Sequence, residues 1–151
     1  MSELLYLDLK MLSEDQLNKI VKIDNAIPSE FDATWKPTDT DHTRRLKFYH
    51  DLLDTDFFKA VLNGDEIVAF YCIRAAQIGS TNIGMATTVW VHPGHRKSGI
   101  ARHLHEMGID WAKSQKIAYF QSSVHSTNHR SRELHEKSGF ETYAITYRLK
   151  I

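Results

Sequence analysis

The sequence predicts an α/β protein with one mixed sheet, its elements in the order β-α-α-β-β-β-α-β-α-β. Three observations carry this. A capping box, Ser13-Glu14-Asp15-Gln16, opens a helix near the amino end. Asn63-Gly64-Asp65 separates two β-rich runs and reads as a hairpin turn. Residues 87–102, TTVWVHPGHRKSGIAR, pass from a β-branched run through a loop into an amphipathic helix, the connection a parallel crossover needs.

Taken in order, residues 4–9 (LLYLDL) form the first strand. The Ser13 cap starts a helix with Leu17, Ile20 and Val21 on one face, and Pro28 ends it. Residues 32–39, with Trp35 and Pro37, form a loop. A second helix covers residues 41–53, with Leu46, Tyr49 and Leu53 at helical spacing. Strands at 57–62 and 66–75 flank the turn, and a third covers 83–91. The next helix places Ile100, Leu104, Met107, Trp111 and Ala112 on one stripe. Residues 118–124 read as a buried strand. Residues 128–138 read as a short helix closed by Gly139, and 140–149 alternate as a final strand.

The chain has 151 residues, the size of one domain with one core, and no repeat or long linker divides it. Lys plus Arg and Asp plus Glu number 19 each, so no global charge draws the chain to nucleic acid or an anionic membrane. Apolar runs are too short to span a membrane. Met1 leads into Ser-Glu rather than a basic and then apolar leader, and the one cysteine, Cys72, lies in an apolar strand pattern. These features predict a reducing, cytoplasmic setting, with Cys72 a small buried hydrophobe.

Residues 87–102 carry the chemistry. A helix start leaves about four backbone N–H groups unpaired and carries partial positive charge, so it suits a pyrophosphate. Gly99 lets that backbone approach an anion without a side chain between, and Arg96 and Lys97 add charge. A dinucleotide loop would need Gly-x-Gly-x-x-Gly, and a Walker loop a Gly-Lys-Ser/Thr ending; neither is present.

The spacing Arg96-x-x-Gly99-x-Ala101 resembles the coenzyme A signature of the GNAT superfamily of N-acetyltransferases. A second segment supports this. Residues 128–140 (NHRSRELHEKSGF) are similar to that family's Asn-x-x-Ala-x-x-Leu-Tyr-x-x-x-Gly-Phe. Asn128, Leu134, Gly139 and Phe140 match, with Ser131 in place of Ala. The predicted element order is also that of the family, over nearly the whole chain.

The resemblance implies an enzyme that transfers acetyl from acetyl-CoA to a primary amine by direct attack in a ternary complex. It implies a co-substrate and no metal. The backbone of Val89, Trp90 and Val91 would pair with the pantetheine arm. Backbone amides at Lys97, Ser98, Gly99, Ile100, Ala101 and Arg102, beside Arg96, would hold the pyrophosphate, and Asn128 would contact pantetheine. The thioester would lie where two parallel strands part, near Val91 and Val124, with a backbone N–H near Val91 facing the oxyanion. Members are often dimers, which makes a homodimer the implied assembly.

His135 departs from the pattern, standing where the family has the Tyr that protonates the departing thiolate. Either it takes that acid role or it packs the helix while the thiolate leaves by way of water. The strands before and after the loop offer Thr87, Thr88, Gln121, Ser122 and Ser123 but no carboxylate. His125 is therefore the nearest titratable candidate for the base, with a water chain or a surface histidine as alternatives. The segment Phe31-Asp32-Ala33-Thr34-Trp35 and the tail of the chain fall where an acceptor would sit: Asp32 to hold an ammonium and Trp35 to stack on it, or a surface loop pinned by a packed Trp. The resemblance implies a small-molecule or peptide amine as acceptor. Nine histidines invite a metal reading, but His103 and His105 point to different faces of a helix, and His125 and His129 lack zinc spacing. The missing carboxylate and His135 keep open a coenzyme A-binding module without catalysis.

Overall fold

The computed structural model describes residues 3–151. Its strands are β1 (Leu4–Leu7), β2 (Phe57–Asn63), β3 (Glu66–Ile78), β4 (Thr81–Val91) and β5 (Tyr119–Ser122), and its helices α1 (Glu14–Ala26), α2 (Asp39–His50), α3 (Ile100–Ser114) and α4 (His129–Lys137). One five-stranded sheet runs β1-β2-β3-β4-β5, antiparallel until the last pair, which is parallel. The crossover through α3 makes that pair parallel. The mixed α/β class and the sequence of elements through α4 are as the residue patterns predict.

The sheet buries both faces. On one, Leu17, Ile20 and Val21 of α1 and Tyr49 of α2 pack on Phe58, Ala60, Leu62, Phe70 and Cys72. On the other, Ile100 and Leu104 of α3 pack on Phe57, Val61, Val68, Tyr71 and Ile73. The alternation of β2 and β3 between two covered faces explains why both strands are apolar at nearly every position. Gly84 faces Phe120 across the β4–β5 pair; a Cβ there would stand 2.7 Å from that ring, so the parallel strands meet closely only because the position is glycine.

Some boundaries differ from the sequence pattern. The first strand stops at Leu7, and residues 9–11 form a single 3-10 turn. The second helix begins at Asp39 because Thr38 and Asp41 form a reciprocal capping box, and it ends at His50, leaving Leu53 65 % exposed rather than on the core stripe. The strand expected at 118–124 is shorter and only half-covered, as an edge strand is. The strand expected at 140–149 is absent: residues 140–151 carry no regular structure. Their alternation is that of a strand, but a strand also needs a neighbour for its backbone groups, and the sheet of this chain ends at β5.

Cys72 is fully buried, and burial pushes its thiol up to about 11. It is the small core hydrophobe the strand pattern implies. No helix among the described residues is long and apolar enough to cross a membrane.

Candidate active site

β4 and β5 part early. Their ladder runs from Ile83–Tyr119 to Ala86–Ser122 and stops there, while β4 continues to Val91 against β3. The register of β3 against β4 slips by one residue between Cys72 and Ile73, so Thr87 is a bulge. A bulge bends and twists its strand, and here it turns β4 from β5 at the point of parting. The wedge therefore opens at Thr87 and Ser123, earlier than the Val91–Val124 position expected from sequence. Beyond it the backbone of Thr88 to Val91 has no sheet neighbour on the β5 side among the described residues.

Past β4, Pro93–His95 form a 3-10 turn, Lys97 sits at φ 61° and Gly99 at φ 89°. Two left-handed residues two apart fold the loop tightly onto the start of α3. Only glycine takes such a φ without strain, although space for a Cβ is open at Gly99. The first backbone bond of α3 is His103 N–H to the Gly99 carbonyl, 3.0 Å, and no side chain caps the helix. The N–H groups of Ile100, Ala101 and Arg102 thus have no intrahelical acceptor. Arg96 does not join them. Its Nε donates to the Val91 carbonyl at 2.9 Å and its terminal nitrogen to Glu30 at 3.2 Å; Glu30 also takes Arg130 at 3.1 Å. Ser98 turns its hydroxyl back to the His95 carbonyl.

A cavity of about 650 Å³ occupies the wedge. Val89, Ala101 and Arg102 line it from the strand and α3, and Asn128 and His135 from α4. From the opposite side come Asp24, Asn25, Phe31, Trp35 and Arg45. That wall is tightly paired. Buried Asp24 accepts from Arg45 Nε at 2.5 Å, Tyr49 hydroxyl at 2.7 Å and Thr88 hydroxyl at 2.9 Å. Burial alone would loosen the proton of Arg45, but the Asp24 carboxylate outweighs it and holds the guanidinium charged. Burial, reinforced by Asp24, raises Tyr49 well above an ordinary phenol. Trp35 donates to the Asn25 carbonyl at 2.6 Å, so it is pinned and lines the cavity at once. Asn25 Nδ2 is buried with no partner, an unused donor beside the cavity wall. Asp32 lies outside the lining; bonds from the Thr34 hydroxyl and N–H hold its carboxyl below the usual range.

The two histidines differ in what they can do. His135 Nδ1 lies 2.6 Å from the Ser131 carbonyl, which can only accept, so the proton of the neutral ring sits on Nδ1. Nε2 then accepts from the Ser122 hydroxyl at 2.9 Å. Ser122, on β5, and His135 both line the cavity. His125 stacks on Phe31, ring centres 4.9 Å apart, with Nδ1 2.8 Å from the Thr127 hydroxyl, which in turn lies 3.4 Å from the Phe31 carbonyl. The Thr127 N–H also donates to Nδ1, at 3.4 Å, so these contacts fit either neutral tautomer of His125.

The structure brings Val89, Ala101, Arg102, His125, Asn128 and His135 to one cavity. Trp90 and Val91 turn into the two cores, Ile100 is buried beneath α3, and Arg96, Lys97, Ser98 and Gly99 form the loop beyond the lining. Asn128 Oδ1 caps α4 at Ser131 N–H, 3.2 Å, so any ligand contact falls to its Nδ2. Sequence reasoning passed over Asp24, Asn25, Arg45 and Glu30. The sole signal was an acid on the apolar face of a predicted helix, three residues after Val21. It also passed over Glu66, His92 and His95, whose ligand atoms lie within 4.8 Å of one another. His92 Nδ1 accepts from the Gly94 N–H at 3.0 Å, which puts the neutral ring's proton on Nε2, toward Glu66. In that form neither ring nitrogen of His92 offers a metal a free lone pair, and Glu66 stands 3.7 Å from Nε2.

The family model described as acetyltransferase (GNAT) family matches residues 20–140. An aminoglycoside N(6')-acetyltransferase type 1 from Acinetobacter haemolyticus is 23% identical over 148 residues, covering 93% of this chain and 96% of that protein. Among solved structures, a predicted acetyltransferase with acetyl-CoA from Clostridium acetobutylicum superposes with TM-score 0.76 at 18% identity, covering 99% of this chain and 96% of the other. AAC(6')-Iy in complex with the bisubstrate analog CoA-S-monomethyl-acetylneamine superposes with TM-score 0.69 at 15% identity, covering 99% and 100%.

Proposed function

The chain belongs to the acetyltransferase (GNAT) family, with acetyl-CoA as co-substrate, and from that premise we propose that it acetylates a primary amine of a small, hydroxyl-rich molecule by direct attack in a ternary complex. One observation carries the reading: a single cavity is lined by the strand, α3 and α4 residues on one side and by Asp24, Asn25, Phe31 and Trp35 on the other. Two substrates entering from opposite sides meet at the wedge, and proximity supplies much of the rate.

Acetyl-CoA supplies an acyl group already activated as a thioester. The residues have the rest to do. Unpaired N–H groups at the start of α3 hold the pyrophosphate, with Lys97 and Arg102 adding charge. The free edge of Val89 to Val91 pairs with the pantetheine arm, and an N–H of that same edge, past the Thr87 bulge, faces the oxyanion. His125 takes the proton of the amine. The proton for the departing thiolate leaves the Ser122 hydroxyl, and protonated His135 restores it from Nε2; His135 thus acts through Ser122. Phe31 and Trp35 on the opposite wall offer aromatic faces on which a cationic acceptor can stack. The relatives named for aminoglycosides make that class the first to try.

The test is thiol release from acetyl-CoA against a panel of aminoglycosides, linear polyamines and a peptide with a free N-terminus. Turnover of an aminoglycoside at least tenfold above the others supports the acceptor. If none of the amines gives thiol release while coenzyme A binds, a binding module stands in place of an enzyme.

A further inference from the structure

Two phenols lie deep in the sheet, one on each face, and they are treated differently. Tyr49 gives its hydroxyl to Asp24 at 2.7 Å. Tyr71, on β3, is 5 % exposed, and its hydroxyl has no hydrogen-bond partner among the described residues. It is not sealed in. Among those residues Asn25 Nδ2 is the one fully enclosed side-chain nitrogen or oxygen without a partner, so the Tyr71 hydroxyl opens on the cavity that Tyr71 lines. Its ring is clamped. Phe57 stands edge-on with ring centres 5.8 Å apart, and α3 passes over it at Gly108, where an added Cβ would stand 3.1 Å from Tyr71 Cε1. Burial pushes the phenol up to about 12, so the hydroxyl keeps its proton and serves as a donor rather than a base. A buried donor left unpaired costs stability, and the partner left for this one is whatever fills the cavity.

The position fits the acyl end of the thioester. Tyr71 lines the cavity with Ala86 and Ser122, the last rung between β4 and β5, and with Ala101 and His105 of α3. In the β3–β4 ladder it stands opposite Val89. The His92 N–H donates to the Val68 carbonyl at 2.8 Å, so the N–H groups of His92 and Trp90 face β3 and that of Val89 faces the wedge. An unpaired amide and an unpaired hydroxyl thus come from one cross-strand pair.

We propose that Tyr71 is a further catalytic residue, its hydroxyl donating to the acyl carbonyl oxygen of acetyl-CoA beside the Val89 N–H. This rests on the acetyl-transfer reading. As the amine nitrogen bonds to the carbonyl carbon, the second C=O pair moves onto oxygen, and two fixed donors meet the charge there. When C=O re-forms, the C–S bond breaks and its pair leaves on sulfur. The amine proton goes to His125, sulfur takes a proton through Ser122, and the Tyr71 proton stays on its oxygen throughout. A donor clamped before the charge appears needs no reorganisation during the reaction.

Tyr71→Phe tests this, since it deletes the hydroxyl and no hydrogen bond within the protein; its melting temperature should not fall. The first readout needs no amine. Acetyl-CoA labelled with heavy carbon at the acyl carbonyl is bound to each protein, and its infrared carbonyl band is recorded. A hydrogen bond lowers that band, so it should stand higher in Tyr71→Phe than in the parent. The second readout is turnover of whichever panel amine the parent acetylates fastest. There kcat should fall roughly a hundredfold, the scale for one oxyanion donor, while coenzyme A, which lacks the carbonyl, binds with unchanged affinity. A band at the same wavenumber in both proteins overturns the proposal whatever the rates do. So does a kcat within about threefold of the parent, or a loss of coenzyme A affinity as large as the loss of rate, which makes the phenol a packing residue. If the parent acetylates no amine, the acetyl-transfer reading fails by itself, and the band alone decides whether Tyr71 meets the carbonyl.

Discussion

The two walls of the cavity are built on opposite plans. On the α1–α2 side nearly every polar group has its partner: Asp24 alone accepts three bonds, from Arg45, Tyr49 and Thr88. On the α3 side the backbone is left unpaired: the helix starts without a cap, and β4 runs past its neighbour with a bare edge. The other helices make the contrast sharper, since Ser13, Thr38 and Asn128 each cap theirs. Buried polar groups are costly unless bonded, so a paired wall is architecture and an unpaired one awaits a ligand.

Breaking the paired wall should produce the largest change. Asp24→Ala leaves a mostly buried guanidinium and a buried phenol without their acceptor, and the cost should be about 3–5 kcal/mol of stability. Thermal or urea unfolding measures it. A variant that melts within a degree of the parent would mean the cluster contributes nothing net. The unpaired wall should respond to ligand instead. Coenzyme A at a hundred times its dissociation constant should stabilise by about 2.7 kcal/mol, read as a rise in melting temperature. No shift at millimolar coenzyme A would remove the ligand from that wall.

His135→Phe sharpens the contrast within the unpaired side. It should lower kcat roughly a hundredfold with cofactor affinity nearly intact, the usual scale for losing an acid. Ser122→Ala should fall with it, and the double variant should be no worse than either single one, because the proton passes through both. Additive losses would separate them, and parent-like turnover in His135→Phe would make that residue structural. The smallest effect belongs to Gly99→Val. At φ 89° the branched side chain is strained and stands beside the bare amides, so the coenzyme A dissociation constant should rise at least about tenfold, or 1.4 kcal/mol, in a calorimetric titration. Unchanged affinity in a folded variant would move the pyrophosphate elsewhere.

The unpaired wall was the more legible in sequence. A glycine behind a β-branched strand and ahead of an amphipathic helix is a local pattern, and the loop lies where that pattern puts it. The paired wall joins Asp24 to Arg45, to Tyr49 and to Thr88, 21, 25 and 64 residues away. No local period encodes such contacts. The final strand failed for a related reason: alternation at 143–151 specifies a face, but the neighbour that makes a strand lies outside the pattern. The tautomer of His135 depends on a carbonyl and a hydroxyl that only folding brings near.

The extra residue at Thr87 also sets a reading frame for side chains. Before it, odd-numbered residues of β4 share the α1–α2 face, as Met85 does opposite Arg74; after it, even-numbered ones do, as Thr88 opposite Cys72 and Trp90 opposite Phe70. Excising that one residue would shift the phase of everything downstream. Thr88 would leave Asp24, Trp90 would leave Phe70, and Val89 would exchange the cavity for the core. Chain length at this point is thus as strictly specified as residue identity, and a single-codon deletion here should do more damage than most substitutions in the strand.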